Sequence, residues 1–457
     1  MKTPKSFLQK SEAKAFSADH RRTISFNMGK YDAKVKEGKA QFFDLEKARK
    51  LAKNIKWQVM ENLPELLLQF EKNFTSRGGQ IIWAEDAEDA LEAIAGIVEK
   101  HGAKTVVKSK SMITEEIELN PFLENMGLEL LETDLGEYIV QLREEPPYHI
   151  VTPAMHLNRT EIAELFHRKF NTAPDATPEE ITAFVRRLLR QKFESADIGI
   201  SGANFLIAET GSVTLTENEG NARLATTFPK VHIAIAGIEK VLPKISDLEV
   251  FWPLLAAFGT GQQLTVYNSL LSGPRQPDEN DGPEAMYVIL LDNGRSEILA
   301  NPEKRQSLYC IRCGSCLNAC PVYRTIGGHS YEAPYSGPIG AVIMPMLEGY
   351  EKYGHLSGAS SLCGSCTENC PMNIDLHKML VYNRRDAVKS GAGSAEKMLW
   401  KLWKKAMLNR RSMNSPLFLK KLMVNLFFKK AWGPRRDFPD FAAESFNQRW
   451  KKGKLSG

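Results

Sequence analysis

The chain has 457 residues, a net charge of +5, and 43% hydrophobic and 25% charged residues. That length calls for two or three folded units with a sizeable interior, and the composition excludes a fibrous or disordered chain. No run of eighteen apolar residues offers a bilayer span, and the mild charge lacks the groove-lining pattern that would suit nucleic acid.

The basic opening MKTPKSFLQKSEAKAF lacks the apolar core of a secretory signal, so a cytoplasmic location is expected. Residues 1–75 read as a helical segment for docking or capping, with apolar positions at helical spacing in DLEKARKLAKNIKWQVMENLPELLLQFEKNF. From residue 76 the pattern changes. QIIWA (80–84) is a short apolar run, DAEDALEAIAGIVEKHG is an Asp-capped amphipathic helix ending at Gly102, and TVVKSK is another short run, which together make a β-α-β unit. The alternation continues through LELLETD (128–134), HIVTP (149–153) and helices near 160–170 and 177–196. DIGISG, FLIAETG, SVTLTE, VHIAIAG, QLTVYNSLL and MYVILLD (286–292) follow. The expectation is an α/β domain over 76–300 with a mainly parallel sheet.

Within that domain no G-x-G-x-x-G or Walker motif supports a nucleotide site, and no catalytic residue can be nominated. Gly259-Thr260-Gly261 after FWPLLAAF could line a phosphate, but a helix cap is the commoner use of such glycines. The stretch from Gly202 to Ser212, continuing through Glu217-Asn218-Glu219-Gly220-Asn221, suits either a polar pocket at strand ends or a hairpin with turn residues at its tip. His149, His156 and His232 lie beside apolar runs and read as structural, while Lys108, Lys110 and Tyr138 have no assigned role.

Asn301-Pro302 marks a boundary, and residues 301–390 form a third segment, with IGAVIMPMLEGYEKYGHL helical between two cysteine clusters. All seven cysteines fall between 310 and 370, which suggests metal rather than a disulfide framework. Cys310-Ile-Arg-Cys313-Gly-Ser-Cys316-Leu-Asn-Ala-Cys320-Pro321 has the C-x2-C-x2-C-x3-C-P spacing of bacterial ferredoxins. There three thiolates wrap one cluster and the fourth ligates its neighbour. Cys363-Gly-Ser-Cys366-Thr-Glu-Asn-Cys370-Pro371 repeats the closing half, with Ser360 at the expected opening position. Applied crosswise, the rule assigns Cys310, Cys313, Cys316 and Cys370 to a first [4Fe-4S] cluster, and Cys320, Cys363 and Cys366 to a second. The second is one thiolate short: either it is [4Fe-4S] with Ser360 or another non-cysteine group at its fourth position, the favoured reading, or it is [3Fe-4S]. Structural zinc is the alternative, but it rarely needs this spacing twice.

The interval of about forty residues between the motifs resembles the helical ferredoxin modules of succinate dehydrogenase and fumarate reductase. GANFLIAETGS and NEGNARL, with KSKSMITEEIELN, ETDLGEYIVQL and HIVTPAMH upstream, resemble the LUD domain of lactate-utilisation proteins. Followed by the cysteine motifs, the chain from about 30 to 430 is similar to the LutB family of lactate-utilisation iron-sulfur proteins. The resemblance implies a fold like the NagB/RpiA/CoA-transferase group for the LUD part, an α-helical ferredoxin domain, and a seven-cysteine ligand set. It also implies a system with LutA-like and LutC-like partners that oxidises L-lactate to pyruvate, with electrons passing to a quinone or another carrier. A redox-sensing role, in which loss of the incomplete cluster alters what the LUD domain binds, is the alternative.

Residues 391–457 read as a basic, amphipathic helical tail. Between Lys397 and Arg436 lysines and arginines interleave with Trp400, Trp403, Phe427, Phe428 and Trp432. Such a helix docks on protein or, less commonly, lies on an anionic membrane surface through 395–436.

Overall fold

Among the described residues ten strands form: β1 (Gln80–Ala84), β2 (Thr105–Lys108), β3 (Glu129–Glu132), β4 (Ile198–Gly202), β5 (Phe205–Ile207), β6 (Ser212–Glu217), β7 (Val231–Gly237), β8 (Val241–Leu242), β9 (Tyr267–Leu271) and β10 (Ala285–Leu291). They belong to a computed structural model that describes residues 4–391, 394–410 and 444–453, with 421, 422, 425, 426 and 442 between. Six strands make a wholly parallel sheet in the order β1-β10-β7-β4-β2-β3. Its centre is apolar on both sides, as a parallel sheet covered on both faces requires. Along β7, Val231, Ile233 and Ile235 enter one core with Ile94 and Ile97 of the helix Ala87–His101, whereas Ala234 and Ala236 enter another. That helix begins where Asp86 accepts the amide N–H of Glu88 and Asp89, and ends at Gly102 in the left-handed region.

The remaining strands form a second, mixed sheet in the order β8-β5-β6-β9. Its centre is the hairpin β5–β6, whose tip turns at Gly211 with φ 61°. HIVTP is not a strand. The ring of His149 accepts the N–H of Val151 at 3.0 Å and of Thr152 at 3.2 Å, and Tyr148 N–H donates to Pro153 O, so the donors a ladder needs are consumed locally. The loop is buried against the first cysteine turn, where a Cβ on Gly314 would lie 3.0 Å from Val151 Cγ2 and 3.1 Å from His149 Cε1.

The cysteine region is helical: Pro321–Ile326, Gly337–Leu347 and Leu376–Lys389 surround the two cysteine turns. Its apolar residues continue the core that holds the second sheet and the amino-terminal helices, so that Phe7, Phe70, Leu206, Phe251, Leu317 and Leu380 belong to one cluster. Met1–Ser390 is one compact unit and Gly391–Gly457 another. In the second, the helix Ser394–Leu408 exposes Trp400, Leu402 and Trp403. Residues 411–420 and most of 423–441, which include Phe427, Phe428 and Trp432, lie outside the described residues. Among the described residues no helix is long and apolar enough to cross a membrane.

Candidate metal centre

The two cysteine turns fold alike. In the first, Arg312 (φ 59°) and Gly314 (φ 77°) are left-handed on either side of Cys313, and the helix Ser315–Asn318 follows. In the second, Leu362 (φ 55°) and Gly364 (φ 84°) flank Cys363, and Ser365–Glu368 follows. Arg312 N–H donates to Cys310 Sγ at 3.4 Å, and Leu362 N–H donates to Ser360 Oγ at 3.1 Å. Ser360 therefore holds, relative to its own turn, the place that Cys310 holds in the first, with oxygen in place of sulfur.

The turns are also tied to each other reciprocally. Ser315 Oγ donates to the carbonyl of Asn369, just before Cys370, at 3.0 Å, and Ser365 Oγ donates to the carbonyl of Ala319, just before Cys320, at 3.1 Å. Each motif thus carries its last cysteine into the other motif's turn. Arg49 fixes one of these crossings by donating from Nε and Nη2 to Cys370 O at 3.0 and 2.7 Å.

The electrostatics of the thiols follow the same grouping. Burial pushes Cys313 far up, and Cys310 and Cys370 push it further. Burial raises Cys316, with Cys310, Cys313 and Cys370 adding to it and Cys366 of the other group contributing least. Cys370 is pushed up to about 12 by burial, with Cys310 contributing. In the other group burial raises Cys320, helped by Cys363, and lifts Cys366 to about 11, helped by Cys320. All seven cysteines are free thiols. Thiols gathered so closely resist ionisation on their own, and a positively charged metal centre is what stabilises them as thiolates. The donor set fits such a centre.

Cys310 is half-buried and Cys313, Cys316, Cys320, Cys366 and Cys370 are buried, while Cys363 is exposed. A small cavity beside the second group is lined by Cys320, Ser360, Cys363, Cys366 and His377. His377 is the one of these that sequence reasoning missed. Its Nδ1 meets Thr367 Oγ1 at 2.8 Å.

A larger cavity of about 390 Å3 opens at the carboxyl ends of β2, β4 and β7. Both readings of the Gly202–Asn221 stretch hold: residues 205–217 are a hairpin, and Asn204, Glu217 and Glu219 line this cavity. Gly259-Thr260-Gly261 caps the helix Leu248–Gly259, with the N–H of Thr260 and Gly261 on Ala256 O, and Gly259 and Thr260 reach the cavity wall as well. Lys108 is buried and paired with Glu132 at 2.8 Å and Glu115 at 3.1 Å, a structural network, whereas Lys110 faces the cavity. Tyr138 packs against Phe166 and Phe170. His232 is buried on Ser201 Oγ, and His156 pairs with Glu145 at 3.0 Å. Nothing in the sequence pattern pointed to the buried ion group in which Arg295 joins Glu116 at 2.8 Å and Glu239 at 2.7 Å. Arg312, which also lines the cavity, stood in plain view inside the cysteine motif.

A parallel α/β sheet joined to a helical module with two crossed cysteine turns defines a LUD-type iron-sulfur protein, and comparison with known proteins agrees. Residues 67–291 match the LUD domain, and residues 306–374 match the 4Fe-4S dicluster domain. Lactate utilization protein B of Bacillus thuringiensis (strain Al Hakam) is 44% identical over 425 residues, covering 90% of this chain and 89% of that protein. Lactate utilization protein B 2 of Bacillus mycoides (strain KBAB4) is similar to the same extent. The crystal structure of a duf162 family protein from Deinococcus radiodurans shares 16% identity, covers 50% of this chain and 98% of its own, and superposes with a TM-score of 0.29. The chain belongs to the lactate utilization protein B family.

Proposed function

We propose that the chain is the electron-transfer subunit of an assembly that oxidises L-lactate to pyruvate. The reciprocal hydroxyl ties, Ser315 to Asn369 and Ser365 to Ala319, carry the reading, because they bring the last cysteine of each motif to the other's turn. On that basis Cys310, Cys313, Cys316 and Cys370 hold a first [4Fe-4S] cluster, and Cys320, Cys363 and Cys366 hold a second, with Ser360 at its fourth position. Bound there, the clusters supply one-electron chemistry. The residues' own part is to seal and poise: Arg49 anchors the Cys370 carbonyl, Arg312 N–H donates to the Cys310 sulfur, and burial sets the local dielectric. Lactate loses two electrons and two protons in becoming pyruvate, so an acceptor such as a quinone or another carrier has to take the electrons. LutA-like and LutC-like subunits are the expected partners, by family, and the carboxyl-terminal tail is a docking element for protein or for an anionic membrane at the cytoplasmic face. Flotation with anionic liposomes separates these two, since a tail-deleted form that floats as well as the full chain removes the membrane.

The test is anaerobic purification with iron, sulfide and EPR analysis, repeated with lactate and the partner subunits. Rapid reduction of both centres by lactate is expected. A strain lacking the gene that grows unchanged on lactate would defeat the assignment.

The exposure of Cys363 beside a three-cysteine set favours one second reading, redox sensing, since an open site is the part of the molecule an oxidant reaches first. Slow oxidative breakdown without lactate-driven reduction would support it instead.

A further inference from the structure

The large cavity lies outside the carboxyl ends of parallel strands, the place where open α/β sheets take ligands, and its volume of about 390 Å3 falls within the range of small-molecule sites. Four acidic and four basic side chains reach it: Asp134, Glu217, Glu219 and Glu239, and Lys110, Lys240, Arg295 and Arg312. The acids are largely spoken for. Glu239 is paired with Arg295, Glu217 accepts the N–H of Ala222 at 2.6 Å and of Arg223 at 2.8 Å, and Glu219 accepts the N–H of Leu135 at 3.1 Å. The bases are not. Lys110 Nζ and Arg312 Nη1 are buried and have no hydrogen-bond partner. Among the described residues the carboxylate paired with Arg312 is Glu239, 3.6 Å from Nη2 and already held by Arg295, while the guanidinium lies over the Tyr335 ring at 4.6 Å.

Buried cationic donors without acceptors are costly, and two of them facing one cavity call for an anion. Ser109, Asn204 and Thr216 on the same walls offer neutral hydrogen-bonding partners for a hydroxyl or a carbonyl. Cys313 forms part of the wall, so whatever enters lies beside the first cysteine set. We infer that this cavity binds a small organic carboxylate of the 2-hydroxy or 2-oxo acid class, its acceptor oxygens taken by Lys110 and Arg312. The choice of acid class rests on the proposed lactate-linked function, whereas the demand for an anion rests on the orphaned donors alone.

The experiment uses the full, cluster-loaded chain and titrates L-lactate and pyruvate by calorimetry, with propane-1,2-diol and inorganic phosphate as comparators. Either acid should bind, the diol should not, and phosphate should bind at least tenfold more weakly. Lys110→Met should weaken the acid at least tenfold, and Lys110→Arg should retain most of the affinity. Lys110 offsets the buried carboxyls of Glu137 and Glu219, so Lys110→Met is compared at equal iron content with Lys110→Arg, which keeps that charge; lost binding in the first with retained binding in the second separates recognition of the acid from unfolding. Addition of the acid should alter the EPR spectrum of the first centre in the native chain and not in Lys110→Met. Equal affinity in Lys110→Met and the native chain, binding of neither acid, or phosphate binding as tightly as the acids overturns the inference. If neither acid binds yet lactate with the partner subunits reduces the centres, the cavity assignment fails and electron transfer stands. If the acids bind through Lys110 but lactate never delivers electrons, the binding site stands and electron transfer fails.

Discussion

Ser315 and Ser365 make the same hydrogen bond from the same place in two turns, and Arg312 and Leu362 share a left-handed backbone, yet the surroundings of the turns have little in common. The first turn is packed. Gly314 faces Val151 and His149, Arg312 lies against Tyr335, and Arg49 reaches in from the amino-terminal helices to Cys370. The second turn is open. Nothing lies within 4 Å of a Cβ on Gly364, Leu362 is exposed, and Cys363 is at the surface. One backbone motif used twice thus yields a sealed turn next to a ligand-sized cavity and an accessible turn; on the proposed assignment the first belongs to a four-thiol site and the second to a three-thiol site. The geometry that holds a cluster is local to the turn, whereas its exposure is decided by what the rest of the chain packs there.

The strongest way to break this contrast is to remove one thiol from each side. Cys316→Ser and Cys363→Ser should each lower iron by about 4 atoms per chain if both sites hold [4Fe-4S] clusters. Their stabilities should diverge. Cys316 belongs to the central apolar core, so its loss should lower the melting temperature by about 4–6 °C, the scale of roughly 3–5 kcal/mol for a unit of this length. Cys363 is exposed, and its variant should melt within about 1 °C of the native chain. Equal shifts in melting temperature would abolish the distinction between a sealed and an open site.

The glycines sharpen it at smaller scale. Gly314→Ala and Gly364→Ala both force a side chain into the left-handed region, which costs about 1–2 kcal/mol. Only Gly314→Ala also meets neighbours at 3.0 and 3.1 Å, for an additional ~1–2 kcal/mol of overpacking. Urea unfolding should therefore show the larger loss at Gly314.

How much of this was legible in the sequence follows the range of the interactions. The helix Ala87–His101 could be read to the residue because Asp86 and Gly102 cap it by local chemistry. The cysteine spacing suggested a crossed grouping, because three thiols wrap one cluster and the fourth points away, and the hydroxyl ties from Ser315 to Asn369 and from Ser365 to Ala319 are compatible with it. HIVTP misled because apolar residues signal burial, and only the His149 ring, by taking two backbone N–H groups, decides against a ladder. β8 is two residues long and has no periodicity to detect. Arg49 and Lys110 carry no local signature at all. One matters because it lies 321 residues from the carbonyl it binds, the other because strands far apart in sequence enclose it.

Ligand binding beside the first turn gives a pH test with a definite sign. Burial, and then the charge of Asp134, raises Glu219 from its usual value to about 7. The groups facing it are Asp134, Glu217 and Lys110. Because the folded chain then binds a proton that the unfolded chain releases, this residue favours folding less as pH rises from about 4.5 to about 7. Below about 7 the carboxyl is neutral, and above it the negative charge repels an incoming carboxylate. Affinity for the acid should fall by roughly threefold to tenfold between pH 6 and pH 8, and Glu219→Gln should flatten the profile. A native profile that rises with pH would place the carboxylate elsewhere.

The smallest change in the chain with a clear reading is Ser360→Cys, one oxygen exchanged for sulfur. The native side chain already accepts the N–H of Leu362 as Cys310 accepts that of Arg312, and Arg384 fixes the Ser360 carbonyl at 2.8 Å. The substitution should therefore cost less than about 1 kcal/mol in stability. Its effect should lie in the metal. On mild oxidation the native second site, with three thiols and a weaker fourth donor, should lose an iron and show a three-iron EPR signal, while the variant should keep its full complement. If native chain and variant oxidise alike, Ser360 is not at the fourth position, and His377, which lines the same small cavity, becomes the residue to replace.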